Sequence, residues 1–271
     1  MEKVWALILG ASSGFGGASA VELAKSGYNI FGVHLDRQIT MPQVNQIIKK
    51  IEKAGRQAVF FNINAADPIK RQEVLDEIEE RFKKDKGIVK VLIHSLAFGT
   101  LKPFIADSPN NAITQSQMEM TLDVMANTLV YWAQGLIFRN LFANGGRIFA
   151  LTSSGSHTVI PNYGAVSAAK AALESHIRQL AFELGPRGIT ANAIMAGVTD
   201  TPALRKIPGS DKMIEAAQLK NPRGRLTTPE DVAKAIVALC SENCDWISGN
   251  VIGVDGGEDI VGFVTNFPIK K

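Results

Sequence analysis

The sequence predicts a doubly wound α/β fold, a seven-stranded parallel sheet with helices on both faces. Three observations predict it. Short apolar runs alternate with longer stretches of helical period from one end of the chain to the other. The first apolar run passes through a cluster of glycines straight into an alanine-rich helical stretch. No linker rich in proline, glycine or serine breaks the alternation, so residues 1–271 read as one domain.

In chain order, "VWALILG" (Val4 to Gly10) is the first strand, and the helical stretch Gly16 to Ser26 follows its glycines. "YNIFGVHL" (Tyr28 to Leu35) and "QAVFFNI" (Gln57 to Ile63) are strands flanking a helix from Pro42 to Ala54. A helix from Pro68 to Lys84 leads to the strand "VKVLIHS" (Val89 to Ser95). A long helix is expected over roughly Gln115 to Phe142, and its apolar residues run around most of the circumference, which suits burial against both the sheet and a second subunit. "GRIFALTS" (Gly146 to Ser153), a helix from Ala165 to Leu184 and "ITANAI" (Ile189 to Ile194) continue the rhythm. The helix Pro229 to Leu239 and the strand "NVIGVD" (Asn250 to Asp255) close it. Right-handed crossovers between seven such strands give the Rossmann arrangement. The stretch Val198 to Arg225 alone breaks the pattern, and its place after a strand's carboxyl end makes it a candidate substrate lid at about 198–225.

Composition narrows the partners. The chain is 46% hydrophobic and 20% charged with a net charge of +3, and its basic residues are interleaved with acidic ones, as in "EIEERFKKDK". No basic stripe exists to track nucleic acid. No apolar run reaches membrane-spanning length and the first strand starts almost at Met1, so a cytoplasmic protein without a membrane partner is expected. Cys240 and Cys244 have no zinc-binding spacing and are expected to be reduced and structural. His94, His157 and His176 have no carboxylate or cysteine at ligand spacing, so no metal is expected.

The first strand runs into "GASSGFGG". Strand, glycine turn and helix occur in the order that would bring backbone amides of Gly10, Ser12, Ser13, Gly14, Phe15 and Gly16, with a helix amino terminus, onto a pyrophosphate. The three residues between Gly10 and Gly14 resemble the short-chain dehydrogenase/reductase family. In that family an acid at the end of the second strand selects NAD, whereas NADP needs a basic group there. The acid's place falls on His34, with Asp36 and Arg37 just beyond, so the resemblance tilts toward NADP (NADPH), with NAD open. Asn62, Ile63 and Asn64 stand where family members carry an aspartate beside the adenine.

"HSLAFG" resembles the divergent branch containing the enoyl-acyl-carrier-protein reductases, and the resemblance implies that Ser95, Leu96 and Ala97 meet the cofactor and Phe98 the substrate. So does "IPNYGAVSAAK", where Tyr163 precedes Lys170 by seven residues. Seven helical residues turn about 700 degrees, so the two side chains share one face if the helix already covers Tyr163. Val166 occupies the place of the tyrosine in a Tyr-x-x-x-Lys motif and can protonate nothing. The resemblance implies that Tyr163 holds the thioester oxygen as charge develops on it, while Lys170 fixes the nicotinamide ribose.

"NAIMAGVTDTPAL" adds an Ala-Gly followed by Thr201, and the resemblance gives Gly197, Thr199 and Thr201 to the nicotinamide and diphosphate. Ile160, Ala203 and Leu204 would join Phe98 as substrate walls. Ser153 stands where many enoyl reductases have a tyrosine and carbonyl reducers have a serine, which leaves carbonyl reduction open. Met125 aligns with an asparagine of the carbonyl reducers and cannot relay a proton; Asn127 would point elsewhere on a helix. The resemblance thus implies NADPH-dependent reduction of an enoyl thioester on acyl-carrier protein or coenzyme A, by a homotetramer. The alternatives are a carbonyl reductase of the same fold and a catalytically silent dinucleotide sensor.

Overall fold

The computed structural model describes residues 3–207 and 209–262. Seven strands, β1 (Lys3–Leu9), β2 (Asn29–His34), β3 (Ala58–Asn62), β4 (Gly87–His94), β5 (Phe142–Thr152), β6 (Thr190–Ala196) and β7 (Val251–Val254), pair in parallel in the order β3-β2-β1-β4-β5-β6-β7. The order reverses between β1 and β4, so the crevice for a ligand opens above the carboxyl ends of those two strands. Crossovers are made by α1 (Gly14–Lys25), α2 (Met41–Lys53), α3 (Pro68–Lys84), α4 (Gln115–Leu122), α5 (Thr128–Phe138), α6 (Gly164–Leu184) and α8 (Pro229–Leu239).

The central strands are mainly apolar because both of their faces are covered. Trp5, Leu7 and Leu9 of β1 point into one core with Phe31, Leu129, Trp132, Val166 and Leu173. Ala6 and Ile8 point into the other with Leu23, Ile51, Phe149, Ile194 and Ile236. The Trp5 and Phe31 rings stack 4.0 Å apart across the β1–β2 pair. Side chains cap helix starts: Asp67 accepts from the amides of Ile69 and Lys70 at the start of α3, and Thr228 and Asp231 form a reciprocal box at α8.

Three stretches depart from the sequence expectation. The helix expected from Gln115 to Phe142 is broken by a π-helical turn at Asp123–Asn127 and ends at Phe138. Asn140 takes a left-handed conformation (φ 56°), and the amide of Leu141 returns to the carbonyl of Leu136, closing α5 four residues early. The chain released there starts β5 at Phe142, ahead of the expected Gly146, and the β4–β5 register shifts between Val89 and Val91 to absorb it. The segment after β6 also holds a helix, α7 (Ser210–Lys220), which its polar composition and flanking prolines concealed.

Candidate functional site

The amino end of α1 is built to receive an anion. Gly10 sits at φ 89° with its Cα against the carbonyl of Ser95, and Gly16 packs on the carbonyl of Gly10, so neither position has room for a Cβ. Ser13 begins α1 without capping it through its side chain, and the first turn has no acidic residue. The amides that a helix leaves unpaired at its start are therefore free for a phosphate. Thr201 approaches Gly14 from the far side, its methyl 3.6 Å from where a Cβ would stand.

At the end of β2 the two charged neighbours part company. Arg37 is exposed. Asp36 turns inward, taking a hydrogen bond of 3.0 Å from Nδ1 of the buried His34. Asn62 clasps the backbone of Asp36 in both directions, accepting from its amide and donating to its carbonyl. Burial opposes ionisation of Asp36, but the hydroxyls of Thr40 and Ser12 and the His34 ring outweigh it and hold the carboxyl below its usual range. Ile63 donates to the His34 carbonyl, and Asn64 spends its side chain on the Ala66 amide within its own turn.

At the other end of the cleft, Asn162 in a left-handed conformation (φ 62°) lets the amide of Tyr163 return to the carbonyl of Ile160. This tight turn delivers Tyr163 to the start of α6. The helix covers residues from Gly164 onward, so Tyr163 is its capping residue and lies one position outside the helical face on which the rotation argument placed it. The two side chains nonetheless line one cleft. Lys170 is 6% exposed and donates to the carbonyl of Leu151 at 2.6 Å. Burial brings its pKa down to about 8, opposed by the charge of Glu174 one turn further on. Burial pushes the Tyr163 phenol up, with the Ser153 hydroxyl pulling the other way, so the phenol is protonated at neutral pH and able to donate. The Ser153 hydroxyl is buried close to the phenol but, among the described residues, makes no well-formed hydrogen bond.

Of the residues named from sequence, Phe15, Ser95, Leu96, Ala97, Ser153, Ile160, Tyr163, Lys170, Gly197, Thr199, Thr201, Ala203 and Leu204 line this one cleft. Phe98 does not: its ring is 60% exposed, and Gly99 and Leu101 hold the wall instead. Gly99 allows this because Thr121, Met125 and Val166 crowd its Cα. Met125 and Val166, dismissed above as chemically inert, are apolar walls. Asn127 accepts from His176 at 3.1 Å rather than reaching Lys170. His94 is wholly buried; its Nε2 donates to Thr128, whose own hydroxyl is spent on Val124, and burial drives its pKa down to about 3, which keeps it neutral. Sequence reasoning missed Glu174, which accepts from the Thr152 hydroxyl at 2.6 Å beside the Lys170 site. Its place four residues after Lys170 on α6 was the available signal.

A glycine cradle at the switch point and a cleft lined by both a half-buried phenol and a buried lysine fit a dinucleotide-binding oxidoreductase. Residues 10–258 match a family model described as enoyl-(acyl carrier protein) reductase. The chain belongs to the short-chain dehydrogenase/reductase family, whose members act with nicotinamide dinucleotides. It is 35% identical over 191 residues to an enoyl-[acyl-carrier-protein] reductase [NADH] of Synechocystis sp., covering 69% of this chain and 71% of that one. It is 28% identical over 264 residues to versicolorin reductase 1 of Dothistroma septosporum, 93% of this chain and 94% of that one. The crystal structure of the enoyl-[acyl-carrier-protein] reductase (NADH) from Aquifex aeolicus superposes with a TM-score of 0.82 at 26% identity, covering 97% of this chain and 98% of the other. Among the described residues, no helix is long and apolar enough to cross a membrane.

Proposed function

We propose that the chain reduces the trans-2 double bond of an enoyl thioester carried on acyl-carrier protein or coenzyme A. The observation that carries this reading is the composition of the cleft. Tyr163 and Lys170 both line it, beside apolar walls from Leu101, Met125, Ile160, Val166 and Met213, a surface suited to an acyl chain. When bound, a reduced nicotinamide dinucleotide supplies the hydride.

The family resemblance suggests the roles of the chain's own residues, and their placement around the cleft is compatible with them. The amides of Ser13 to Gly16 and the hydroxyl of Thr201 would hold the diphosphate. The Thr201 oxygen already accepts from the Leu204 amide at 3.2 Å, so its proton is free to donate outward. The backbone near Thr199 would orient the nicotinamide carboxamide, and Lys170 the ribose next to it. Tyr163, protonated and half-buried, would donate to the thioester oxygen as enolate charge grows on it, an interaction strongest in the transition state. No second acid lines the cleft among the described residues, so the proton at the α-carbon comes from solvent. The segment 198–225 serves as the lid.

For the choice of cofactor, Asp36 supports NADH. Its carboxylate faces the glycine turn through Ser12, where a ribose diol can donate to it and a 2′-phosphate is repelled, while Arg37 lies outside. This reverses the preference for NADPH that Arg37 suggested, and the Synechocystis relative's name carries NADH as well.

One observation favours a second reading. The unpartnered hydroxyl of Ser153 beside Tyr163 would complete its hydrogen bond on a ketone oxygen, as a 3-oxoacyl or other carbonyl reductase requires. Crotonyl and acetoacetyl thioesters offered with NADH and with NADPH separate the two. Oxidation of the dinucleotide by the crotonyl thioester is expected; turnover of the acetoacetyl thioester alone would replace the first reading by the second.

A further inference from the structure

Beyond β7 the run Asp255–Gly256–Gly257–Glu258 makes a tight turn. Both glycines take positive φ (67° and 86°), and the Asp255 carboxylate folds over them to accept from the amides of Gly257 at 3.0 Å and Asp259 at 2.8 Å. The turn aims Glu258 back beneath the exit of β6, where the residue is only 8% exposed. Its Oε1 accepts from the amide of Val198 at 3.2 Å. Its Oε2 is buried with no hydrogen-bond partner among the described residues and lies against Gly197, 3.0 Å from where a Cβ there would stand. On the other side of that spot is the hydroxyl of Thr227, at 2.5 Å.

These contacts join places far apart in sequence. Gly197 and Val198 are where the chain leaves β6 for the lid. Thr227 is where it returns to α8. Asn221, the residue at which α7 ends, stands beside the same carboxyl and donates to the carbonyl of Asp255 at 2.7 Å. Burial raises the pKa of Glu258, Asp255 adds repulsion, and the Val198 amide, Asn221 and the charge of Lys220 act against them. A buried carboxyl is costly unless its bonds repay it. Here its bond to the Val198 amide holds the backbone at residue 198.

We infer that Glu258 is a positioning residue: through the Val198 amide it sets the backbone of Gly197 to Thr199 against the nicotinamide, and it ties the outgoing and returning ends of the 198–225 segment together. The inference rests on the placement of the dinucleotide proposed above.

The test compares wild type with Glu258→Gln, which keeps an acceptor oxygen, and Glu258→Met, which fills the same space without one. NADH dissociation constants and the rate of tryptic cleavage within the segment, after Arg205, Lys206, Lys212, Lys220, Arg223 or Arg225, are measured on proteins of matched circular dichroism. Glu258→Met is expected to weaken NADH about tenfold and to speed cleavage by a similar factor, as loss of a buried hydrogen-bond acceptor implies, with Glu258→Gln within about twofold of wild type. Equal affinity and equal cleavage in Glu258→Met would overturn the inference, as would a Glu258→Gln variant as impaired as Glu258→Met. If Glu258→Met does not fold, Glu258→Gln is read alone, and wild-type behaviour supports the acceptor role while a loss overturns it. Wild type that binds neither NADH nor NADPH would instead overturn the placement of the dinucleotide, with the cleavage rates still reporting on the tie.

Discussion

Lys170 combines a cost in stability with the role proposed for it at the ribose. Its folded pKa of about 8 lies below the value of about 10.4 for a free lysine, so the folded chain releases a proton that the unfolded chain keeps between those two values. Stability should therefore rise as pH climbs from about 8 toward 10.4, and the full cost of burying the charge is present below pH 8. Lys170→Met should melt several degrees higher than wild type at pH 7, read by calorimetry, while losing nearly all turnover; an unchanged or lower melting point would show that the charge is not a burden. Tyr163→Phe removes only the donor. It should lower kcat by about a hundredfold and leave the NADH dissociation constant within twofold, since the lost bond forms in the transition state. At the end of β2, Asp36→Asn should strengthen NADPH binding by about tenfold relative to NADH, measured by titration calorimetry, because the substitution removes the negative charge facing the 2′-phosphate. These residues were legible in the sequence because their types are unusual for their positions. The inward turn of Asp36 was not, since it depends on His34 and Asn62 from neighbouring strands.

Among the elements, regular strands and amphipathic helices were legible to within a few residues, because period and burial agree along them. The failures fall where a single backbone conformation decides the outcome. Asn140 ends α5 in a role glycine usually takes, and the apolar run beyond it, Leu141–Phe142, reads equally as helix or strand. The π-helical turn at Asp123–Asn127 has no composition of its own. Gly197, where the chain enters the proposed lid, is closely packed: a methyl there would meet Thr227, Glu258 and the Asp255 backbone at 2.5 to 3.1 Å. Gly197→Ala should destabilise the protein by about 1–3 kcal/mol in urea titrations, the range for overpacking a tight site; a midpoint equal to wild type would mean that the root of the lid gives way freely.

At the scale of the molecule, parallel order and the switch point between β1 and β4 put the glycine cradle, Tyr163 and the root of the lid around one crevice, although they lie up to 190 residues apart in sequence. What the sequence alone left open was which walls close it, as the exchange of Phe98 for Gly99 and Leu101 shows. Exposed apolar residues on the helices away from the crevice, Phe138 on α5 and Phe182 on α6, fit the proposed homotetramer. Sedimentation equilibrium should then return a species four times the 29.2 kDa chain, and a monomer at micromolar concentration would remove that proposal. The most direct measurement of the central claim uses a reduced dinucleotide carrying deuterium at the nicotinamide hydride position, with a trans-2-enoyl thioester in ordinary water. Deuterium on the β-carbon of the saturated product and solvent hydrogen on the α-carbon, with the rate collapsing in Tyr163→Phe, is the result expected. An enoyl thioester left unlabelled and unreduced by a wild-type protein that binds the dinucleotide would contradict it.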